Sequence, residues 1–202
     1  MTYLPEHDYN TADAGGGSFD LIPVDTVAKV NMTIRPGGLG DGGWLTQSKS
    51  SDAQYLNLEF TITEGEYAKR KFWGNLTVSG GKVDDLGNSK AGNITRETLR
   101  AILESARGIN PTDESDEAKR KRLVNGYGDF NGLEFWAKVG IEPARGEYQA
   151  KNKLGAVITP DKEGYGGAPV QPAGNGATAA QPAWAGSSPQ KADTDVTPDW
   201  AR

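Results

Sequence analysis

The sequence contains no cysteine and only one histidine, His7, among its 202 residues. Without cysteine the chain has no disulfide bond, thiolate metal ligand or cysteine nucleophile, a composition that favours a reducing compartment. One histidine near the start argues against a Ser-His-Asp triad and a histidine metal centre. Long apolar runs are also missing, so we expect neither an export signal nor a membrane-spanning segment. These absences predict a cytoplasmic protein without a membrane partner.

Glycine and proline, in contrast, are abundant, with 27 and 11 residues. Glycine-rich and polar stretches at the two ends of the chain have no periodic apolar pattern, which predicts three parts. These are a mobile N-terminal arm at residues 1–20, a folded domain at residues 21–160 and a disordered linker at residues 161–202. A domain of that length buries enough surface for one stable core.

The net charge of -5 is unlike that of a polybasic nucleic-acid binder. Acidic residues concentrate at the two ends, however, whereas basic residues form two runs inside the chain, at residues 69–71 and 119–122. In the second run, Arg120 and Lys121 lie four residues after Asp116 and Glu117, a spacing that favours ion pairs on an exposed helix face. The first run is the better candidate for contacting phosphate.

Apolar and polar residues alternate in five segments, each of which predicts a short strand with one core face. The segments lie at residues 27–35, 55–63, 71–78, 133–142 and 154–159. Between the third and fourth, Thr95 has the features of a helix N-cap, and an apolar stripe from Leu99 to Ala106 ends at Gly108. A second, shorter helix is predicted to begin near Ser115.

This element order predicts a mainly β fold with one or two helices, of the α+β class. Five strands with a helix between the third and fourth are the order of an oligonucleotide-binding (OB) barrel. We therefore expect an OB-fold-like five-stranded barrel followed by a disordered C-terminal tail.

Three aromatic residues lie out of phase with the aliphatic core, on strand faces that also carry cations. Aromatic rings beside cations suit stacked bases and phosphates, which predicts a nucleic-acid-binding surface. Its candidate residues are Tyr55, Trp73, Trp136, Lys29, Arg35, Lys71 and Lys138, with Lys69 and Arg70 from the adjacent basic run. The alternative is that the rings pack together as a second small core.

Enzyme motifs are weak. Gly38, Gly40 and Gly43 match the spacing of a dinucleotide fingerprint, but no helix pattern follows them, so we expect no cofactor. Carboxylates at 84–85 and 113–117 could in principle hold the metals of a nuclease, yet loop and helix-start positions explain both clusters. We therefore predict no catalytic residue and no metal. The first alternative to nucleic-acid binding is a protein-protein adaptor, and a less favoured one is a metal-dependent nuclease.

The chain ends in the sequence KADTDVTPDWAR. An acidic segment with one aromatic residue after a flexible linker suits docking to a basic, apolar groove on another protein. The candidate partner-binding residues are Asp193, Asp195, Asp199 and Trp200; the alternative is that this segment is simply disordered. Bacterial single-strand-binding proteins carry a similar acidic tip, although Arg202 here follows the aromatic residue.

Two segments resemble a little-characterised family of phage and prophage proteins. They are LNLEFTITEGEYAKRKFWGNLTV, a strand running into an acidic-glycine turn, and GLEFWAKVGIEPARGEYQAKNKLGAV, a late strand before the closing one. The resemblance covers about residues 20 to 160, and the glycine loop at 37–43 and the stretch at 80–93 depart from it. It implies single-stranded DNA binding without catalysis, in phage replication or recombination, in the host cell cytoplasm. Phage or host replication and recombination proteins would be the partners of the tail, and an adaptor would belong to phage recombination machinery.

Overall fold

Six strands and two α-helices make up the computed structural model, which describes residues 20–85 and 87–167. The elements are β1 (Val27–Arg35), β2 (Thr46–Gln47), β3 (Gln54–Ile62), β4 (Lys71–Ser79), α1 (Lys90–Arg107), α2 (Asp116–Lys121), β5 (Glu134–Glu142) and β6 (Lys151–Ile158). The mainly β prediction is confirmed. Apart from Asp20 and residues 161–167, the predicted arm and linker lie outside the described residues.

All strands belong to one antiparallel sheet in which β3 pairs on one side with β4 and on the other with β1 and the short β2. β1 also pairs with β5, and β5 pairs with β6. In the described part of the chain the sheet is open between β4 and β6, so a closed barrel is not confirmed. The additional strand β2 has two residues, too few to produce a periodic pattern.

The core lies on one face of the sheet, as the alternation predicts. Phe60 of β3 stacks on Phe72 of β4 at a centroid distance of 5.1 Å and meets Phe135 of β5 edge to face at 6.2 Å. α1 covers this face with its apolar stripe, in which Leu99, Ile102 and Leu103 are buried. Burying these side chains is the main favourable contribution to the stability of the domain.

α1 begins earlier than the sequence pattern indicates, and the prediction of Thr95 as its N-cap is wrong. Ser89 is the cap, because its hydroxyl accepts a hydrogen bond from the Gly92 amide at 3.1 Å. Gly92 obscures this first turn in the sequence, since glycine is a poor helix former. It is required because a Cβ there would lie 2.5 Å from the carbonyl oxygen of Val78. The predicted end at Gly108, in the left-handed conformation, is confirmed.

Two hydroxyl groups of α1 tie the helix to strand ends. Thr95 is a buried residue within α1, and its hydroxyl donates to the carbonyl of Thr77 in β4 at 2.6 Å. The Ser105 hydroxyl donates to the carbonyl of Ile158 in β6 at 2.6 Å and accepts from the Trp136 amide at 3.1 Å. α1 therefore covers the C-terminal ends of both β4 and β6.

Neither helix in residues 20–85 and 87–167 is long and apolar enough to cross a membrane.

A buried carboxylate holds α2 and the loop before it against α1. Glu104 accepts from Arg100 and from Arg122, each at 2.8 Å, and Arg122 also donates to the carbonyl of Asp113 at 2.7 Å. The predicted start of α2 at Ser115 is confirmed, and Glu117 pairs with Lys121 at 2.7 Å as expected of an exposed helix face. Arg122, the last residue of the basic run, instead points inward.

Replacing Glu104 with alanine is expected to lower the free energy of unfolding by about 3 kcal/mol, because breaking a buried ion pair leaves Arg122 without its charge partner. Glu117→Ala, which breaks an exposed pair, should cost about 0.5 kcal/mol. Urea unfolding of both variants measures the difference. Equal losses would show that the Glu104 cluster does not hold α2 in place.

Candidate functional site

Three of the predicted binding residues converge on a single carboxylate, that of Glu59 in β3. The sheet register places Glu59 opposite Trp73 of β4 and Thr33 of β1, with Lys71 and Arg35 two residues further along, in opposite directions. All of these side chains lie on the face of the sheet opposite the core. We call Arg35, Glu59, Lys71 and Trp73 the Glu59 cluster.

The hydrogen bonds of the cluster use both carboxylate oxygens. Lys71 Nζ lies 2.6 Å from Oε1, while Arg35 Nη2 donates to Oε2. The indole Nε1 of Trp73 also donates to Oε2, at 3.2 Å. Glu59 is only 8 % exposed although it lies on the outer face, because its three partners cover it.

The same contacts set the ionisation of Glu59. The hydrogen bond from Lys71 and then that from Arg35 lower its pKa from 4.5 to about 2, although burial acts in the opposite direction. The carboxylate is therefore ionised at neutral pH. Two cations surround one anion, so the cluster keeps a single net positive charge on its rim.

Trp73 is the aromatic residue that this surface presents to solvent. Its side chain is 49 % exposed, while its N–H edge is held by Glu59. The ring is therefore oriented without being covered. This geometry favours the binding interpretation of Trp73 over packing in a second core.

A second group of predicted residues lies on β1 and β5. Lys29 and Trp136 are opposite each other in the register, and Lys29 pairs with Glu134 at 3.2 Å. Trp136 and Lys138 are both partly buried. Lys29 is six residues from Arg35, or about 20 Å along an extended strand. The predicted surface is thus divided into two groups, of which the Glu59 cluster is the more exposed.

The remaining predicted residues lie around these groups. Tyr55 is partly buried at the start of β3, opposite Thr77. Lys69 is exposed in the turn between β3 and β4, with a φ of 69°. The Arg70 guanidinium lies 5.8 Å from the centroid of the Tyr67 ring and donates to the carbonyl of Asp20. Four residues of the predicted tail site, Asp193, Asp195, Asp199 and Trp200, lie outside the described residues.

Two adjoining depressions beside Trp73 were not predicted from the sequence. One, of about 590 Å³, lies between the turn at 68–71 and the start of β6. The other, of about 670 Å³, lies between β4 and β6 under α1. Trp73 and Lys151 line both. We call the two depressions together the β4–β6 cleft.

Comparison of the sequence with models of known protein families gives no match, and a search of curated proteins gives none either. Within residues 20–85 and 87–167, no group of three or more histidine or carboxylate side chains could hold a metal ion.

Acidification is expected to weaken the fold through Glu59. Its pKa is about 2 in the folded protein, against 4.5 for an ordinary glutamate, so ionised Glu59 stabilises the fold fully above pH 4.5. That contribution declines as the pH falls toward 2. The stability difference between the wild type and Glu59→Gln, measured by urea unfolding, should shrink across this window.

Lys71→Met is the matched control, because it removes the contact that lowers the pKa of Glu59 most. In this variant the pKa of Glu59 in the folded protein should lie closer to 4.5, so the acid-dependent loss of stability should be smaller and should be complete at a higher pH than in the wild type. A carbon-13 NMR titration of the Glu59 carboxyl group follows the same change directly. An ordinary glutamate titration curve in the wild type would contradict the proposed role of the cluster contacts.

Proposed function

We propose that this protein binds single-stranded DNA without catalysis, in phage replication or recombination. The observation that carries the proposal is Trp73, a half-exposed indole whose N–H edge is fixed by Glu59, the carboxylate that Arg35 and Lys71 also contact. A base stacks on the ring, and the two cations face the phosphates on either side of it.

The energetics of single-strand binding suit this small surface. Each base that stacks on an aromatic side chain contributes about 1 to 3 kcal/mol without a base-specific hydrogen bond. Because Glu59 orients the indole before DNA arrives, little conformational freedom of the ring is lost on binding. The cluster therefore supplies a preformed platform for one base, with cations beside it.

The topology of the long strands supports an OB-like fold as part of the proposal. Their order in the sheet is β4-β3-β1-β5-β6, with α1 between β4 and β5 along the chain. β4 and β6, the two edges, approach each other to within 8 Å between Cα atoms. A five-stranded OB barrel closes at this place, and it is a partly open barrel in many of its members. OB folds bind oligonucleotides on the faces of their second and third strands, which correspond here to β3 and β4.

The resemblance to phage and prophage proteins gives the proposal its biological setting. In that setting the protein acts in the host cytoplasm, and Lys69, Arg70, Tyr55 and the Trp136 group add secondary contacts to the strand. The acidic tip around Trp200 recruits phage or host replication and recombination proteins. Neither the secondary contacts nor the recruitment by the tail is needed for a base to stack on Trp73.

Fluorescence anisotropy with a labelled oligo(dT) of about 16 nucleotides, a length that spans one OB-type site, tests the proposal. Trp73→Ala should weaken binding roughly ten- to a hundredfold, because one stacked base is lost. Trp73→Phe keeps an aromatic face but not the N–H group, and it should retain most of the affinity. Urea unfolding of both variants verifies that they are folded.

Three outcomes would contradict the proposal. Equal affinity of the wild type and Trp73→Ala would remove the stacking platform. Cleavage of the oligonucleotide with added magnesium would make the protein a nuclease. Absence of binding at low salt would favour the adaptor function, since phosphate contacts are strongest there.

A further inference from the structure

We propose that the bound strand leaves Trp73 along the β4–β6 cleft, with its phosphates against Lys151 and Lys153 of β6. This inference rests on the proposed function and adds a second half to the binding site. A strand stacked on Trp73 could leave it in two directions. One follows the β4–β6 cleft, and the other runs across β1 and β5 past Lys29 and Trp136.

The cleft begins at the Glu59 cluster and continues away from it. Its first part is lined by the turn residues from Ala68 to Trp73 and by the start of β6. Its second part has an apolar floor of Leu58, Leu76 and Leu154. Trp73 and Lys151 belong to both parts, so a strand stacked on the indole enters the cleft without crossing another element.

The orientation of the β6 lysines follows from the residue between them. Asn152 is buried, where its side chain accepts from the Ile22 amide at 2.9 Å and donates to the Ile22 carbonyl at 2.8 Å. Neighbouring residues in a strand point to opposite faces, and Lys151 and Lys153 are accordingly both exposed. Two residues apart, they lie about 7 Å from each other along the strand, which allows each to contact a different phosphate.

These lysines are available for an anionic ligand. No described carboxylate lies within ion-pair distance of Lys153 among residues 20–85 and 87–167. Lys151 pairs with Glu142 at 3.3 Å, but both side chains are more than half exposed, and such pairs contribute little. Phosphate can therefore replace Glu142 at small cost.

The opposite path is less suited to a strand. Lys29, Trp136 and Lys138 are all partly buried, whereas Lys151 and Lys153 are exposed. An apolar floor for bases is present in the β4–β6 cleft. Glu97 of α1 also lines the cleft, and its negative charge disfavours phosphates on the α1 side of the cleft.

Two double variants with equal change in charge test the path. Lys151→Gln with Lys153→Gln removes two cations from the cleft, and Lys29→Gln with Lys138→Gln removes two from the opposite path. With a slope of about 0.7 per phosphate contact on a single strand, the first variant should flatten the plot of log affinity against log salt by about 1.4. Its affinity should fall roughly tenfold near 0.15 M salt. The second variant removes only secondary contacts, so its slope and its affinity should change much less than those of the first.

The outcomes separate this inference from the proposed function. A loss confined to the Lys29 and Lys138 variant would overturn the path and leave single-strand binding intact. Failure of the wild type to bind oligo(dT) would overturn the function, and the path with it. Binding of an acidic peptide such as poly-glutamate at the cleft, in place of DNA, would assign the cleft to a protein partner.

A second measurement uses the absence of cysteine, which lets a single introduced thiol carry a photo-crosslinker. Glu97→Cys lies in the cleft, and Glu134→Cys lies beside Lys29; both positions are exposed, and each substitution removes one carboxylate. Crosslinking to oligo(dT) should be several-fold stronger from position 97. Stronger crosslinking from position 134 would overturn the path.

Discussion

One carboxylate on the outer face of the sheet organises the candidate site. An ionised group with so little exposure is costly unless it is paired and hydrogen-bonded, and Glu59 meets this condition through Arg35, Lys71 and Trp73. Its partners come from β1 and β4, the two strands that flank β3 along its length. The contact therefore links three strands on the face away from the core, and the same contact orients the exposed indole.

α1 determines which part of the sheet edges stays open. Thr95 and Ser105 hold the helix against the C-terminal ends of β4 and β6, while nothing in the described chain pairs with the rest of those edges. Open edges favour pairing with other chains, and exposed lysines on an edge strand discourage it. Lys151 and Lys153 are therefore expected to discourage the pairing of other chains with the β6 edge.

Much of the sheet could be predicted from alternation because each long strand has one buried face. The sequence also predicted which face carries Trp73, Lys71 and Arg35. It could not predict that Glu59 unites them, since strand register depends on pairings between distant segments. The helix start was missed because a glycine required by close packing at Val78 weakened the pattern. Lys151 and Lys153 were missed as site residues because their importance depends on the approach of β4 to β6.

The acidic overall charge of the chain is compatible with binding a polyanion if stacking supplies the selectivity. A strongly basic surface attracts duplex and single strands alike, because both present phosphates. The Glu59 cluster offers instead a single net charge and an oriented ring, and only a strand with unpaired bases can use the ring. Glu59 thereby limits the purely electrostatic part of binding while it prepares the stacking part. Its position among the cations is consequently a source of preference for single strands over duplex DNA in the function proposed for this protein.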